Sequence, residues 1–582
     1  MFFCLSYVRL LAMVLGMPRQ SQSRDDLDKR IAELCGWETA TRDDGKVALA
    51  LHQTRSVDRV YSLNTAAFFD ELFAYVREIG AWSVLEQLDP NVREGEIYPF
   101  LRLVLLTIMR CVGGVQSMLA THDLLLTDEA LMGVVGFNAY QVENGGNKRG
   151  LSRQTHPVTV RGVLSYETVA DNIVAIGPKK LEEMLNGLIR CLAAQKFFAK
   201  KLDVVVDATD DEATPGYKTD DGREVPSVRR EKRPDVRANR HAKKTEVTVY
   251  GWKIWIVWEP LSKIPLAIAI DGINEPDNKH ALAVLRQAQR NIEGHARIRS
   301  VALDRGFLDG KLLSAVEKDG ILIYIPSKSN MNITKDAREI ARRAETEAAR
   351  GRTLDGCVYS ERKKVVTHGA GKNATQDTQV TMVVGISELP CDWWGEEGSS
   401  SSKANSKSFK PKLLKATVVL RWDGAPKDAE KEVVILTTDS ADDPFVAFDA
   451  YDDRSLIENC CNREAKEHWF LEHHPKRSEA GVRVHAYFVF FCMALVEAFR
   501  GYQATCQEAA MRGEDTGIDR YRRSLEKQNR DKVVVFIGEH FGIFRSFEFA
   551  FLSGVHVRER ALMGDSVESI LRRFGIDIPN TT

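Results

Sequence analysis

The apolar pattern of this chain changes at Leu202, and that change restricts the fold more than any other feature. Upstream, from about Asp25 to Gly150 and again over Tyr166–Ala199, apolar residues recur three and four apart, the spacing of helices that bury one face. Leu101–Cys111 is apolar nearly all round, which predicts a buried helix. From Leu202 the period shortens. Val204–Val206 is a compact run ending in Asp207, at the end of a predicted strand Leu202–Thr209. Glu246–Trp258 alternates through Val247, Val249, Trp252, Ile254, Ile256 and Trp258 with one shift near Gly251, predicting a long, bulged strand. Pro265–Ile270, Ser300–Leu303 and Ile321–Ile325 read as further strands, Asn278–Asn291 and Lys311–Lys318 as helices. Three strands, then helix, strand, helix, strand, predict a mixed sheet with hairpins first and parallel crossovers after.

Between Ser327 and Thr438 this alternation stops. Lys335–Arg352 is a charged helical stretch, Gln379–Ile386 and Ala416–Trp422 are β-rich, and Gly398–Lys412 is a Ser/Lys/Asn-rich run expected to be an exposed loop. Past Pro444 the pattern is helical again, clearest at Ser455–Lys466 and Val484–Phe499. The expected organisation is an apolar leader at 1–24, a helical region at 25–200, a core at 201–327, a β-rich insertion at 328–440, the rest of the core at 441–505, and a tail at 506–582.

A formal net charge of −1 supplies no overall attraction to nucleic acid, so any such contact must come from local clusters. The ten cysteines contain no CxxC pair, and a chain of 582 residues needs no disulfides, which favours a reducing cytoplasm. Cys460, Cys461, His468, His473 and His474 lack a standard zinc spacing. Met1–Met17 is apolar but short for a membrane span and lacks a basic start and cleavage site, so Met17 is an alternative start. Phe488–Val496 is shorter still and reads as a buried helix; a membrane protein is not expected.

Three carboxylates stand out by position. Asp207 closes the first strand, Asp304 follows the fourth in Val-Ala-Leu-Asp-Arg-Gly-Phe, and Glu458 lies on a later helix. Strand ends of an open sheet leave side chains exposed where the backbone turns away. Three carboxylates brought together repel unless a cation neutralises them, and hard oxygen ligands suit Mg²⁺ or Mn²⁺. Two such ions roughly 3.5–4 Å apart can serve phosphodiester displacement. Asp203, Asp210 and Asp211 rival Asp207, and most of the 82 acidic residues must be solvated surface groups.

Tyr451-Asp-Asp-Arg454-Ser-Leu-Ile-Glu458, with Lys466 beyond, resembles the Tyr–Arg–Glu–Lys signature of bacterial insertion-sequence transposases of the DDE type, of the insertion-sequence-four-like family. Asp304-Arg305-Gly306-Phe307 resembles their second motif, and Asp207 with Thr209 their first. The resemblance covers roughly Leu202 to Phe499. It implies an α/β fold: an RNase H-like core interrupted by a largely β insertion, with a helical N-terminal region that binds DNA ends and a helical C-terminal tail, a candidate for dimerisation. It further implies Asp207, Asp304 and Glu458 as ligands of two Mg²⁺ or Mn²⁺ ions, cleavage at the ends of a mobile element, and joining of the 3′-hydroxyl to target DNA. The implied partners are duplex DNA with terminal inverted repeats, target DNA, and a second copy of the chain on that DNA. Two departures are visible: Ser455 occupies a position often aromatic in the family, and the lysine is displaced. The usual spacing places the lysine at Ala465, and Lys466 comes one residue late; Arg463 is a possible substitute.

By the same resemblance Tyr451, Arg454 and Lys466 contact phosphates. Arg454 and Glu458 are one turn apart and share a helix face, although an intrahelical ion pair explains that spacing equally. Arg229–Lys244 carries eight basic residues, among them Arg237, Arg240, Lys243 and Lys244, against Glu231 and Asp235, so a phosphate-tracking loop and a solvated charge run are both open. Trp252, Trp255 and Trp258 are expected in the core, Trp393 and Trp394 freer to reach DNA. A catalytically inactive DNA-binding protein with the same fold is the alternative function.

Overall fold

The computed structural model describes residues 41–62, 66–90, 99–146, 150–155, 159–232, 245–368, 375–394, 412–423, 425–426, 432–506 and 532–554, with 567, 571–572 and 576. The leader and most of the Ser/Lys/Asn-rich run lie outside these residues.

The chain is mixed α/β around one large sheet. Its strands are β1 (Lys201–Ala213), β2 (Ser227–Lys232), β3 (Thr245–Glu259), β4 (Ile264–Gly272), β5 (Arg297–Leu303), β6 (Leu322–Pro326), β7 (Cys357–His368), β8 (Thr375–Cys391), β9 (Lys412–Trp422) and β10 (Val433–Thr437). The order across the sheet is β7-β8-β9-β10-β6-β5-β1-β3-β2, with β4 also on β3. β1, β3 and β4 are antiparallel neighbours, whereas β5 runs parallel to β1 and β6 parallel to β5. This is the expected change from hairpins to parallel crossovers. The crossovers are the helices α3 (Ala281–Ile292) and α4 (Gly310–Lys318). The residues expected as an insertion form α5 (Asn332–Ala349) and then β7 to β10, which extend the same sheet through the antiparallel pairing of β10 with β6.

The shifted alternation in β3 falls at Gly251, whose φ is +140° and whose Cβ position is taken by the Asp211 carbonyl, so only glycine fits. No extra residue enters the β1–β3 ladder there. The register shift in β3 lies instead at Val257/Trp258, against β4.

Behind the sheet stands α8 (Glu479–Cys506), packed against α1 (Phe100–Val112), α2 (Pro178–Ala194) and β4. Its apolar stretch is long enough to cross a membrane, but 89% of that stretch is buried inside the protein, as a core helix would be. Phe488, Phe490 and Phe491 are 0% exposed, each burying surface that contributes about 1.5–3 kcal/mol.

Two expectations need correction. The N-terminal region is not purely helical, and the tail is not a helical appendage. Thr41–Arg42 and Arg59–Ser62 form a four-stranded sheet with Lys532–Ile537 and His540–Arg545 from the far end of the same chain. The Lys-Val-Val-Val-Phe-Ile run favours a strand over a helix because β-branched side chains pack on a pleated surface. Gly538, at φ +59°, supplies the two-residue turn.

A candidate active site on the sheet

Asp207 and Asp304 meet because β1 and β5 are parallel neighbours in register. Val206 is the partner of Leu303, so the next residue on each strand is an aspartate. Asp207 is not at a strand end, as its sequence suggested; β1 continues to Ala213 against β3. It is β5 that stops. At Asp304 the chain leaves the sheet into a tight turn, Arg305–Phe307, and β1 loses its neighbour on that side. Phe307, 1% exposed, anchors the turn in the core. At Gly306 a Cβ would stand 2.6 Å from Asp277 Oδ2, so a larger residue there would have to displace the Asp277 side chain.

The third carboxylate arrives from α6 (Pro444–Leu456), which continues into a π-helical turn, Ile457–Asn462, and a last turn, α7 (Arg463–Glu467). Arg454 binds it into the group: one nitrogen, Nη1, lies 2.9 Å from Glu458 Oε1 and 3.7 Å from Asp304 Oδ1. The intrahelical ion pair therefore exists, but the same guanidinium also reaches the second aspartate. Burial works against the Arg454 charge, and the carboxylates of Asp304 and Glu458 outweigh it, holding its pKa above the ordinary value. The Arg454 guanidinium carbon stands 5.5 Å from the Tyr451 ring centre, so Tyr451 and Arg454 also come together.

Asp207 sits deepest. Burial pushes its carboxyl up to about 6, the negative charges of Glu458 and Asp304 add to the rise, and the Ala208 amide and Arg454 oppose it. Its Oδ2 accepts a 2.9 Å hydrogen bond from Asn462 Nδ2, a side chain 8% exposed. Asn462 was not anticipated. Its residue type carries no signal, although its position four after Glu458 on a helix does.

The three rivals of Asp207 are otherwise engaged. Asp203 Oδ1 accepts from Arg299 Nε at 2.7 Å, four residues back towards the start of β1. Asp210 pairs with Arg230 at 2.5 Å. Asp211 is 0% exposed and faces His474, whose Nε2 lies 3.0 Å from Asp211 Oδ1 and whose Nδ1 lies 3.0 Å from the Tyr217 hydroxyl.

Of the remaining candidates, Lys466 Nζ is 3.0 Å from Glu472 Oε1, and Arg463 pairs with Glu467 at 3.0 Å. Ala465 is 0% exposed, so a lysine there would be driven into the core. Arg237, Arg240, Lys243 and Lys244 lie outside the described residues. Trp252, Trp255 and Trp258 are core residues, at most 1% exposed. Trp394 is not free to reach DNA: it is 7% exposed and its indole donates to Glu317 Oε2 at 3.1 Å.

Three carboxylates against one guanidinium leave a net negative group on a partly open surface, built wholly of hard oxygen donors. That composition fits a divalent cation. Among the described residues no three His, Cys, Asp or Glu side chains stand at metal-ligand geometry; Arg454 Nη1 holds a position between Asp304 and Glu458.

A piggyBac transposase synaptic complex with hairpin DNA, solved by cryo-electron microscopy, is similar at 10% identity over 88% of this chain and 85% of that one, with a TM-score of 0.33. At that score no correspondence between individual residues is defined. No curated protein matches the sequence. The profile of the transposase DDE domain matches residues 199–495, the stretch from β1 to α8 that carries all three carboxylates. The match takes in just over half of the 582 residues, and the chain belongs to the DDE transposase domain family.

Proposed function

We propose that this protein cleaves phosphodiesters at the ends of a mobile DNA element and joins the freed 3′-hydroxyl to target DNA, with Asp207, Asp304 and Glu458 as its catalytic carboxylates. The observation that carries this reading is their convergence. Residues 97 and 154 positions apart in sequence meet because β5 is parallel to β1 and because Arg454 ties Glu458 to Asp304. The strand order β4-β3-β1-β5-β6, three antiparallel and then two parallel, supports an RNase H-like core, and α5 with β7 to β10 stands as its insertion.

Asp207, Asp304 and Glu458 would hold two Mg²⁺ or Mn²⁺ ions, which supply activation of an attacking oxygen and stabilisation of a leaving one. The chain's own groups then have distinct tasks. Arg454, whose buried Nε has no hydrogen-bond partner among the described residues, keeps the carboxylates together, and its guanidinium would also offer charge to a phosphate oxygen. Tyr451 beside it, and Lys466 one position late on the same helical segment, are read as the tyrosine and lysine of the Tyr–Arg–Glu–Lys signature of the insertion-sequence-four-like family. The partners are duplex DNA with terminal inverted repeats, target DNA and a second copy of the chain, inside a bacterial cytoplasm. Residues 25–200 are the region proposed to bind the element's ends.

The test is cleavage, with Mg²⁺, of a duplex carrying the sequences that border the coding region. Wild type is expected to cut at the borders and Asp304→Ala to leave them intact. Equal cutting by both proteins, or cutting indifferent to the border sequence, overturns the reading.

A further inference from the structure

The helix that delivers Glu458 is irregular at the point where it reaches the site. The Arg463 amide donates to the Glu458 carbonyl, an i to i+5 bond, and Ile457–Asn462 is π-helical. A π turn takes up one residue more than an α turn, and isolated π turns inside α-helices recur at functional sites. Its consequence here is a change of register. In an α-helix residues seven apart share a face, because 3.6 residues make a turn. With one residue absorbed, the partner of Glu458 two turns on is not Ala465 but Lys466. Burial agrees as far as the side it turns inward: Ala465, like Ile457 and Cys461, is 0% exposed and faces the core, whereas Lys466 is only half-buried. The late lysine is thus returned to the side of the helix that carries Glu458.

The same turn places Asn462. One hydrogen bond ties its Nδ2 to Asp207 Oδ2, and its Oδ1 is buried without a hydrogen-bond partner among the described residues. A buried amide oxygen left unpaired costs about 1–3 kcal/mol, so a chain selected for stability alone would not keep it. An amide that gives its donor to a carboxylate and leaves its acceptor open fits a group that supports a metal site from behind. Outer partners of this kind fix the orientation of the ligands they touch.

We propose that Asn462 is a positioning residue for Asp207, presented by the π turn, and that it sets the affinity of the site for divalent cations. Asn462 holds one oxygen of Asp207 and thereby fixes how the carboxylate faces Asp304 and Glu458. The inference rests on the metal-binding reading of the three carboxylates.

The experiment is a titration of the full chain with MnCl₂, read by the electron paramagnetic resonance signal of free Mn²⁺, for wild type, Asp304→Ala, Asn462→Ala and Asn462→Leu. Leucine keeps the branched skeleton of asparagine, with somewhat more volume and no donor. Wild type is expected to bind Mn²⁺ and Asp304→Ala to lose it. Both Asn462 variants should bind about tenfold or more weakly, while Asn462→Leu keeps the wild-type unfolding midpoint without metal. Wild-type Mn²⁺ affinity in Asn462→Leu means that the residue only fills space, and overturns the proposal. If wild type binds no Mn²⁺ that Asp304→Ala loses, the metal reading itself falls and this inference with it. Deleting Asn459 sharpens the test. It restores the commoner Glu–Lys spacing yet moves Asn462 away from Asp207, so Mn²⁺ binding should weaken; unchanged binding counts against the π turn.

Discussion

Asp207 and Asp211 lie four residues apart on one strand and meet opposite fates. Asp211 is fully buried and engaged, with His474 and Tyr217 completing a chain of hydrogen bonds that stitches β1 to the segment before α8. Asp207 is buried enough for its carboxyl to be pushed up to about 6, yet two further carboxylates stand beside it. The difference is made by what packs against the strand at each point. At 211 the neighbour is β3 and a histidine; at 207 the parallel neighbour β5 has just ended. A buried carboxylate matched by donors is a structural brace, and one gathered with its own kind is, on the function proposed above, a ligand for a divalent cation.

That contrast can be broken most decisively by activity. Asp207→Ala should lower cleavage of border-containing DNA by on the order of 10³-fold or more without lowering the unfolding midpoint; retained cleavage removes Asp207 from the site. Asp211→Ala should do the reverse. Losing the partner of a buried, hydrogen-bonded histidine should destabilise the fold by about 2–4 kcal/mol in urea, with specific activity of the folded fraction kept. If Asp211→Ala unfolds no earlier than wild type, the brace is not one.

The third prediction concerns pH. In the folded chain Asp207 titrates at about 6, against 3.8 for an unstrained aspartate, chiefly through burial. A raised carboxyl pKa means that the fold prefers the protonated form. The cost is therefore absent below pH 3.8, grows as pH rises, and is complete above about 6. With a chelator present, Asp207→Asn should be more stable than wild type by about 2 kcal/mol at pH 8, and the gain should vanish at pH 4. Denaturant unfolding at the two values checks both sign and window. The smallest effect is expected at the rim: Lys466→Ala should weaken binding to border DNA a few-fold and reduce its salt slope by about one, whereas Arg463→Ala should leave the slope unchanged.

Much of the core was readable because its signals are local. Val204–Val206, the alternation of β3 and the helical spacing of α3 and α4 each depend on which side of one element is buried, and the change from hairpins to parallel crossovers followed from the alternation of elements. The three carboxylates were singled out by their motifs; what the sequence could not show is what engages Asp203, Asp210 and Asp211, whose partners Arg299, Arg230 and His474 come from distant segments. Asn462 was invisible for the same reason. The tail misled because a β-branched run does not say which strand will cover its edge, and here the cover comes from Arg59–Ser62, some 470 residues earlier.

The sequence by itself determined the period of each element, the family motifs and the residue types able to hold a hard cation, since these follow from side-chain chemistry and nearest neighbours along the chain. Only the tertiary structure decided that β5 ends beside Asp207, that Arg454 bridges Glu458 to Asp304, and that a π turn carries Asn462 against Asp207. Those are questions of which distant groups desolvate one another, and burial and ion pairing take their strength from proximity in space, not order in the chain.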